Sequence, residues 1–268
     1  MRRAFILSDH TGLTAEAMAR ALLAQFPEQR HEIRSHPFLD SLDKVASVAR
    51  EIARYPDALV FSSLVDAQAR QLVREQCVGR FFDFFDEYTP QLEALLGTKA
   101  HPVTGSLHGI ADNGHYQERI RALDYSVLHD DGAVTRHYEE ADVILLGISR
   151  SGKTPTCLYL ALRYGLQAAN YPLAGEDLQH RELPPAVNPY RDKLIGLTTE
   201  PLQLQRIRSQ RLNSGRYATM EQCRWEVSQA ESLFRRHRLP VIDTTAISIE
   251  EIATHIISEI LPVITSGK

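Results

Sequence analysis

The amino-acid sequence predicts an α/β protein made of two domains. Three observations lead there. At 268 residues the chain exceeds the roughly 100–200 residues of a single domain and leaves each half long enough for a core of its own. Over the first part of the chain short apolar runs alternate with stretches of helical spacing, the pattern of a parallel sheet covered by helices. Further on, the apolar run Asp142-Val-Ile-Leu-Leu146 ends in a glycine-containing turn that opens another helix.

The first strand is Ala4-Phe-Ile-Leu7, apolar throughout as a strand buried on both faces must be. Thr14 opens a helix whose Ala15, Met18, Ala21, Leu22 and Phe26 recur at helical spacing. Residues 32–38 alternate in polarity like a half-buried strand, and Val45, Val48, Ala49 and Ile52 return to the helical period. Ala58-Leu-Val-Phe61 is the next buried strand, Ala67–Val78 the helix behind it, and Phe81-Phe-Asp-Phe-Phe85 a further apolar run. Thr89-Pro90 offers an N-cap and a proline at the first helical position, so a short helix is expected to begin there. These elements make up an N-terminal parallel-sheet domain over residues 1–98.

From Lys99 to Asn113 glycine, proline and polar residues replace the periodic pattern, which marks a domain boundary or a long functional loop. Residues 99–268 then form the second domain. Gln117–Leu123 is expected to be helical, Tyr125–Leu128 extended, Asp142–Leu146 a strand and Thr156–Tyr164 its helix. Leu173–Arg191, rich in proline and charge, reads as a surface loop or lid. Leu194–Leu197 and Val241-Ile242 are the remaining strands. Between them lie a basic helical stretch, Leu202–Leu212, and a helix from Thr219, where Thr219-x-x-Gln222 has capping-box form. Ser248-x-x-Glu251 opens a last helix with Ile249, Ile252, Ile256 and Ile260 on one side. No internal repeat is visible in the sequence.

The turn after Leu146 reads Gly147-Ile-Ser-Arg-Ser-Gly-Lys-Thr154, which fits the phosphate-loop pattern G-x-x-x-x-G-K-T between a buried strand and a helix. Gly147 and Gly152 permit a tight turn and close backbone approach, so the N–H groups along Ile148, Ser149, Arg150 and Ser151 can point inward at phosphate oxygens beside a helix N-terminus. Lys153 can reach the outer phosphates, and the Thr154 hydroxyl is placed to ligate Mg²⁺. The second domain is therefore expected to be a P-loop, kinase-like α/β domain with its nucleotide or phosphate site at 147–154.

Such a loop serves hydrolysis, phosphoryl transfer or binding alike, and other groups must choose. Asp130 and Asp131, in His129-Asp-Asp-Gly132, precede the loop strand where ligand-facing residues collect; Asp131 is the candidate acceptor base or metal partner, against a plain turn. Asp243 closes Pro240-Val-Ile-Asp243 and is a candidate Mg²⁺ ligand, against local hydrogen bonding with Thr244 and Thr245. Arg206, Arg208, Arg211 and Arg216 either close over phosphates or an acidic partner, or form a solvated helix face. His101, His108, His115, His129 and His137 have spacings that match no common metal pair on a helix or strand.

Composition narrows the class. A net charge of −4 gives no global attraction to nucleic acid. No segment approaches the ~18 uninterrupted apolar residues of a membrane span, and Ala4–Leu7 is too short for a secretory signal core. Cys77, Cys157 and Cys223 are far apart and in no C-x-x-C pair, as expected of reduced thiols in the cytoplasm.

The words Ser8-Asp-x-Thr-Gly12, His129-Asp-Asp-Gly132, Gly147-Ile-Ser-Arg-Ser-Gly-Lys-Thr-Pro-Thr156, Ala169-Asn-Tyr-Pro172 and Ser248-Ile-Glu-Glu-Ile252 occur here in one order. Together they resemble the bifunctional kinase/pyrophosphorylase family that regulates phosphoenolpyruvate synthase and pyruvate, phosphate dikinase. Gly152-Lys153-Thr154 is similar to the phosphoenolpyruvate synthase branch, since the other branch carries Ser-Lys-Thr. The resemblance implies that ADP, rather than ATP, donates its terminal phosphoryl group to a threonine of the target enzyme. It also implies reversal by inorganic phosphate with release of pyrophosphate. ADP is thereby expected on Gly147–Thr154, with Lys153 and Thr154 on the terminal phosphate and its Mg²⁺, and phosphoenolpyruvate synthase as protein partner. Self-association into a homo-oligomer stays open. So do two other functions, a P-loop kinase of a small metabolite and a non-enzymatic ADP-sensing module.

Overall fold

In a computed structural model that describes residues 1–77, 80–101, 113–211 and 216–261, the chain divides into two units, Met1–Gly109 and Ile110–Lys268. The first is built on β1 (Arg2–Leu7), β2 (His31–His36), β3 (Leu59–Ser62) and β4 (Phe81–Asp83), all parallel in the order β2-β1-β3-β4. Because successive strand residues face opposite ways, β1 feeds two cores. Phe5 and Leu7 pack with Val45 and Ile52 of α2 (Leu42–Ile52) and Val73 of α3 (Ala67–Gln76). Ala4 and Ile6 pack with Ala15 and Ala19 of α1 (Leu13–Leu23).

The second unit opens with α5 (Asn113–Leu128). Its sheet holds β5 (Val143–Gly147), β6 (Ala168–Pro172), β7 (Leu194–Thr198) and β8 (Val241–Asp243), parallel and ordered β6-β5-β7-β8. Val143 and Leu145 face α6 (Lys153–Tyr164) and α9 (Ile249–His255) through Cys157, Leu160 and Ile252. Ile144 and Leu146 join the opposite core with Leu204 of α7 (Pro201–Arg211) and Val227 and Phe234 of α8 (Met220–His237). The strand order of the first unit is thus repeated in the second, a likeness of topology that the sequence does not display as a repeat.

Local rules explain most of the boundaries. Ser41, Asp66, Thr219 and Ser248 each accept a backbone N–H at a helix start, and Ser248 with Glu251 completes a reciprocal capping box. At Thr219 the box is half made, because the Gln222 amide donates forward to Glu226 instead.

Three expectations are corrected. Tyr125–Leu128 is helical rather than extended: Ala122, Tyr125, Ser126 and His129 are the buried positions, and that spacing is one helical face. The helix expected at Thr89 begins earlier, as α4 (Phe84–Leu96), with Pro90 inside it. Asp83 is the stronger cap there, since its carboxylate takes the N–H groups of both Phe85 and Asp86. Leu173–Arg191 runs over the surface as expected of a loop but is no free lid, because Leu173, Leu178, Leu183 and Val187 are buried in the core of the second unit. The boundary segment at 99–113 falls mostly outside the described residues. No helix among the described residues is long and apolar enough to cross a membrane.

Gly196, in the middle of β7, faces the ring of Phe234, and a methyl group added there would lie 2.8 Å from Cδ2. Gly196→Ala is expected to lower unfolding free energy by about 1–3 kcal/mol through overpacking, seen as a lower urea midpoint at unchanged slope.

Candidate functional site

The loop between β5 and α6 owes its shape to two glycines with different tasks. At Gly147 a Cβ would sit 2.6 Å from Ser151 Oγ and 2.7 Å from the Leu197 carbonyl oxygen, so no side chain fits. At Gly152 the space is open but φ is 92°, a conformation that L residues rarely adopt. Arg150 also lies in the left-handed region, with φ of 75°.

The carbonyls of this loop are drawn into the protein. Gly147 O accepts from the Leu173 amide at 2.9 Å, and Ile148 O from Lys153 Nζ at 3.0 Å. Ser149 O accepts from Arg208 Nη2 at 3.1 Å, and Ser151 O from the Thr244 hydroxyl at 3.2 Å. Gly152 O accepts from the Thr156 hydroxyl at 2.8 Å. Among the described residues there are no cis peptide bonds, and in a planar trans peptide C=O and the following N–H point opposite ways. With these carbonyls anchored, the N–H groups of Ile148, Ser149, Arg150, Gly152 and Lys153 are turned away from the anchors. None of these N–H groups has a partner among the described residues, and no side chain caps the start of α6. Ser151 Oγ is buried there with no protein partner among the described residues. Unpaired N–H groups, an uncapped helix N-terminus and an unpaired buried hydroxyl fit an anion.

Lys153 is 4% exposed, and burial pushes its ammonium below the usual lysine range against the opposing pull of Asp131 and Asp130. Those two carboxylates come from the turn after α5. Thr154 Oγ1 donates to Asp130 Oδ1 at 2.7 Å, and the amide of buried Asn170 donates to the same oxygen at 2.6 Å. Asn170 Oδ1 in turn accepts the Asp131 N–H at 3.0 Å. Asp131 is held in the left-handed region, φ 47° and ψ 33°, and its side chain is exposed beside the lysine. His129 secures the turn from below: its ring nitrogens lie 2.8 and 2.9 Å from the carbonyl oxygens of Tyr125 and Arg136. Cys157, fully buried behind the loop, has its thiol pushed up to about 12 by burial and is a packing residue.

On the Ser149 side, Arg208 is fully buried. It donates to Tyr217 O and Glu226 as well as to Ser149 O, and lies over the Tyr217 ring, whose hydroxyl meets Ser149 Oγ at 2.8 Å. A cleft of about 650 Å³ opens beside these groups, between the start of α8 and the segment after β6. The first unit has a separate cavity of about 620 Å³ above the ends of β1 and β3, walled by Leu13, Met18, Phe85, Tyr88 and Leu92. No lysine follows its glycine turn at Gly12, and the Asp9 carboxylate there accepts the Val65 N–H at 2.8 Å. The cluster of charge and unpaired N–H groups belongs to the second unit.

The model of a family described as Kinase/pyrophosphorylase matches residues 4–257. The chain belongs to that family. A relative from Laribacter hongkongensis is 47% identical over 261 residues, covering 96% of this chain and 95% of its own length. Relatives from Alkalilimnicola ehrlichii and Neisseria meningitidis serogroup C are 47% and 44% identical, again over 96% of this chain and 95% of theirs. All three are provisionally named phosphoenolpyruvate synthase regulatory proteins. The matches run through both units, so the family is defined by more than the 147–154 loop.

Of the residues singled out from sequence, the structure brings Gly147–Thr154 and Asp131 together. Thr154 meets Asp130, while Asp243, the second metal candidate, follows its alternative of local hydrogen bonding, its Oδ1 accepting from the backbone N–H and hydroxyl of Thr245. Arg208 is neither a solvated face nor an arm over the loop, but a buried strut beneath Ser149. The side chains of Arg211 and Arg216 lie outside the described residues. Asn170, Tyr217 and Thr244 escaped notice because only their long-range partners give them a role. An asparagine inside the otherwise apolar Ala168–Tyr171 run was the one available signal, since a buried amide needs partners.

Arg208→Ala is expected to destabilise the protein by about 3–5 kcal/mol, because it strands the Glu226 carboxylate and frees Ser149 O. Arg208→Lys is not expected to restore the loss, as one ammonium cannot span the three acceptors. Chemical denaturation of both variants checks this.

Proposed function

We propose that the protein is a bifunctional serine/threonine kinase and phosphorylase that controls phosphoenolpyruvate synthase in the cytoplasm. In one direction ADP phosphorylates and inactivates a threonine of that enzyme. In the other, inorganic phosphate removes the mark and leaves as pyrophosphate. The observation that carries the proposal is the backbone of the 147–152 loop, with carbonyls anchored in the protein and N–H groups left unpaired among the described residues, leading into Lys153 and Thr154. Family membership and the names of the relatives supply the reaction class and the partner.

In the forward step the loop N–H groups and Lys153 hold the β-phosphate of ADP and stabilise the charge that develops on its equatorial oxygens. The threonine Oγ attacks that phosphorus, the bond to the α-phosphate oxygen breaks, and AMP leaves. Asp131, exposed and held by its own N–H to Asn170, takes the hydroxyl proton. In reverse, phosphate occupies the same cradle, its oxygen attacks the phosphothreonine phosphorus, and the departing Oγ takes a proton from Asp131. The buried, partly desolvated ammonium of Lys153 faces phosphate in both directions.

Mg²⁺ fits the donor set. Thr154 Oγ1 and Asp130 Oδ1 lie 2.7 Å apart and are the hard oxygen ligands it prefers. When bound it would neutralise charge on the phosphates. Asp243, one residue before the loop anchor Thr244, contributes only through water or by releasing Thr245.

Labelled ADP incubated with the protein and phosphoenolpyruvate synthase is expected to place label on a synthase threonine. Label on a small molecule would favour a metabolite kinase, and tight binding without transfer a sensing module. Lys153→Ala is expected to remove both activities; phosphorolysis persisting at full rate would sink the idea of one shared site. Asp131→Asn should lower kinase kcat by about 10²–10⁴ with little change in ADP affinity, and a near wild-type rate would exclude it as the base. Asp130→Ala should raise the Mg²⁺ concentration for half-maximal rate by about tenfold or more.

A further inference from the structure

The cleft beside Ser149 has no task in phosphate binding. We propose that it is the nucleoside subsite, in which the purine of the nucleoside diphosphate stacks against Trp225 and Tyr217; this rests on the phosphate-loop reading above. The loop gives the bound molecule a direction. Thr154 and the two aspartates gather at its C-terminal end, where the transferred phosphoryl group belongs, and the Lys153 ammonium, which feels both carboxylates, reaches back across the loop to Ile148 O. Ser149, at the other end, forms the lip of the cleft, so the rest of the nucleotide continues there.

The cleft wall has the chemistry of a base pocket rather than of a second anion site. Its volume of about 650 Å³ is ample for a base and ribose, within the ~300–1,000 Å³ usual for small-molecule sites. Among the described residues the one cation in its lining, Arg208, is consumed by Glu226, and Glu221 adds a further carboxylate. A second phosphate would be repelled. Leu173 and Leu178 supply apolar floor, while Gln179 and Gln222 carry amides suited to the hydrogen-bonding edge of a neutral base. Trp225 is 38% exposed on a helix that buries Val227, Leu233 and Phe234. A large ring left open toward a cleft is a platform for a flat partner. Tyr217, held from below by Arg208 and in front by Ser149, would couple occupancy of the cleft to the backbone of the loop.

The chain contains a single tryptophan, which makes the test direct. ADP is expected to quench Trp225 emission with the same dissociation constant found by calorimetry, whereas inorganic pyrophosphate should bind the loop and leave emission unchanged. Trp225→Ala should weaken ADP binding about tenfold or more while pyrophosphate affinity stays within about twofold, which also shows that the variant is folded. Trp225→Phe should retain most of the ADP affinity. Lys153-dependent ADP binding that neither quenches Trp225 nor weakens in Trp225→Ala overturns the subsite and leaves the phosphate loop standing. An effect of Trp225→Ala confined to KM for the protein acceptor assigns the cleft to that substrate and overturns it too. If neither ADP nor pyrophosphate binds, the phosphate-loop reading falls and the subsite with it.

Discussion

The site rests on the capture of the loop carbonyls between Gly147 and Gly152. Four of them are held by donors from four different places: the amide after β6, the first residue of α6, a buried arginine of α7 and a threonine just beyond β8. All-parallel connection puts these donors at one edge, because every strand delivers its C-terminal end to the same side. One such hydrogen bond contributes only about 0.5–1.5 kcal/mol to stability. Their collective effect is orientation, since a planar peptide cannot turn its carbonyl inward without presenting its N–H outward. Donors fixed in this way need no reorganisation when charge arrives, which is the condition for strong electrostatic stabilisation.

The acidic turn complements this cradle. Asp130 and Asp131 are neighbours in sequence with unlike surroundings. One is pinned by Thr154 and Asn170, and the other projects from a left-handed residue into solvent beside Lys153. Gly132 makes the arrangement possible, for its φ of 67° is one that L residues rarely adopt and a Cβ there would lie 3.2 Å from Pro172 Cδ. In the proposed reaction this separation divides labour between a metal-side carboxylate and a proton-transferring one, while phosphate chemistry in both directions uses one set of donors.

The same strand order appears in both units, yet only one carries this equipment. In the first unit the turn after β1 folds back on its own neighbours, with Ser8 and His10 carbonyls accepting from Leu39 and Phe38, and an apolar cavity lies above it. Shared topology therefore does not distribute function, which resides in the side chains and backbone turns set upon it.

Much was legible in sequence because it depends on neighbours along the chain. The strand runs, the capping residues Thr219 and Ser248, and the glycine loop with its lysine and threonine are all local patterns. The misread elements were those where a local cue met a stronger rival, as at Pro90 behind the Asp83 cap, or where four residues were too few to tell an extended run from one turn of helix, as at Tyr125–Leu128. By itself the sequence determined the α/β class, the position of the loop and the family to which it points. Only the tertiary structure decided which carboxylate meets Thr154, that Arg208 is a buried strut, and that Trp225 looks into a cleft. Those contacts join residues as far apart as Asp130 and Asn170, separated by 40 positions, or Ser149 and Arg208, by 59. No periodicity or motif spans such distances; they are set by which strand ends and helices the parallel sheet brings side by side.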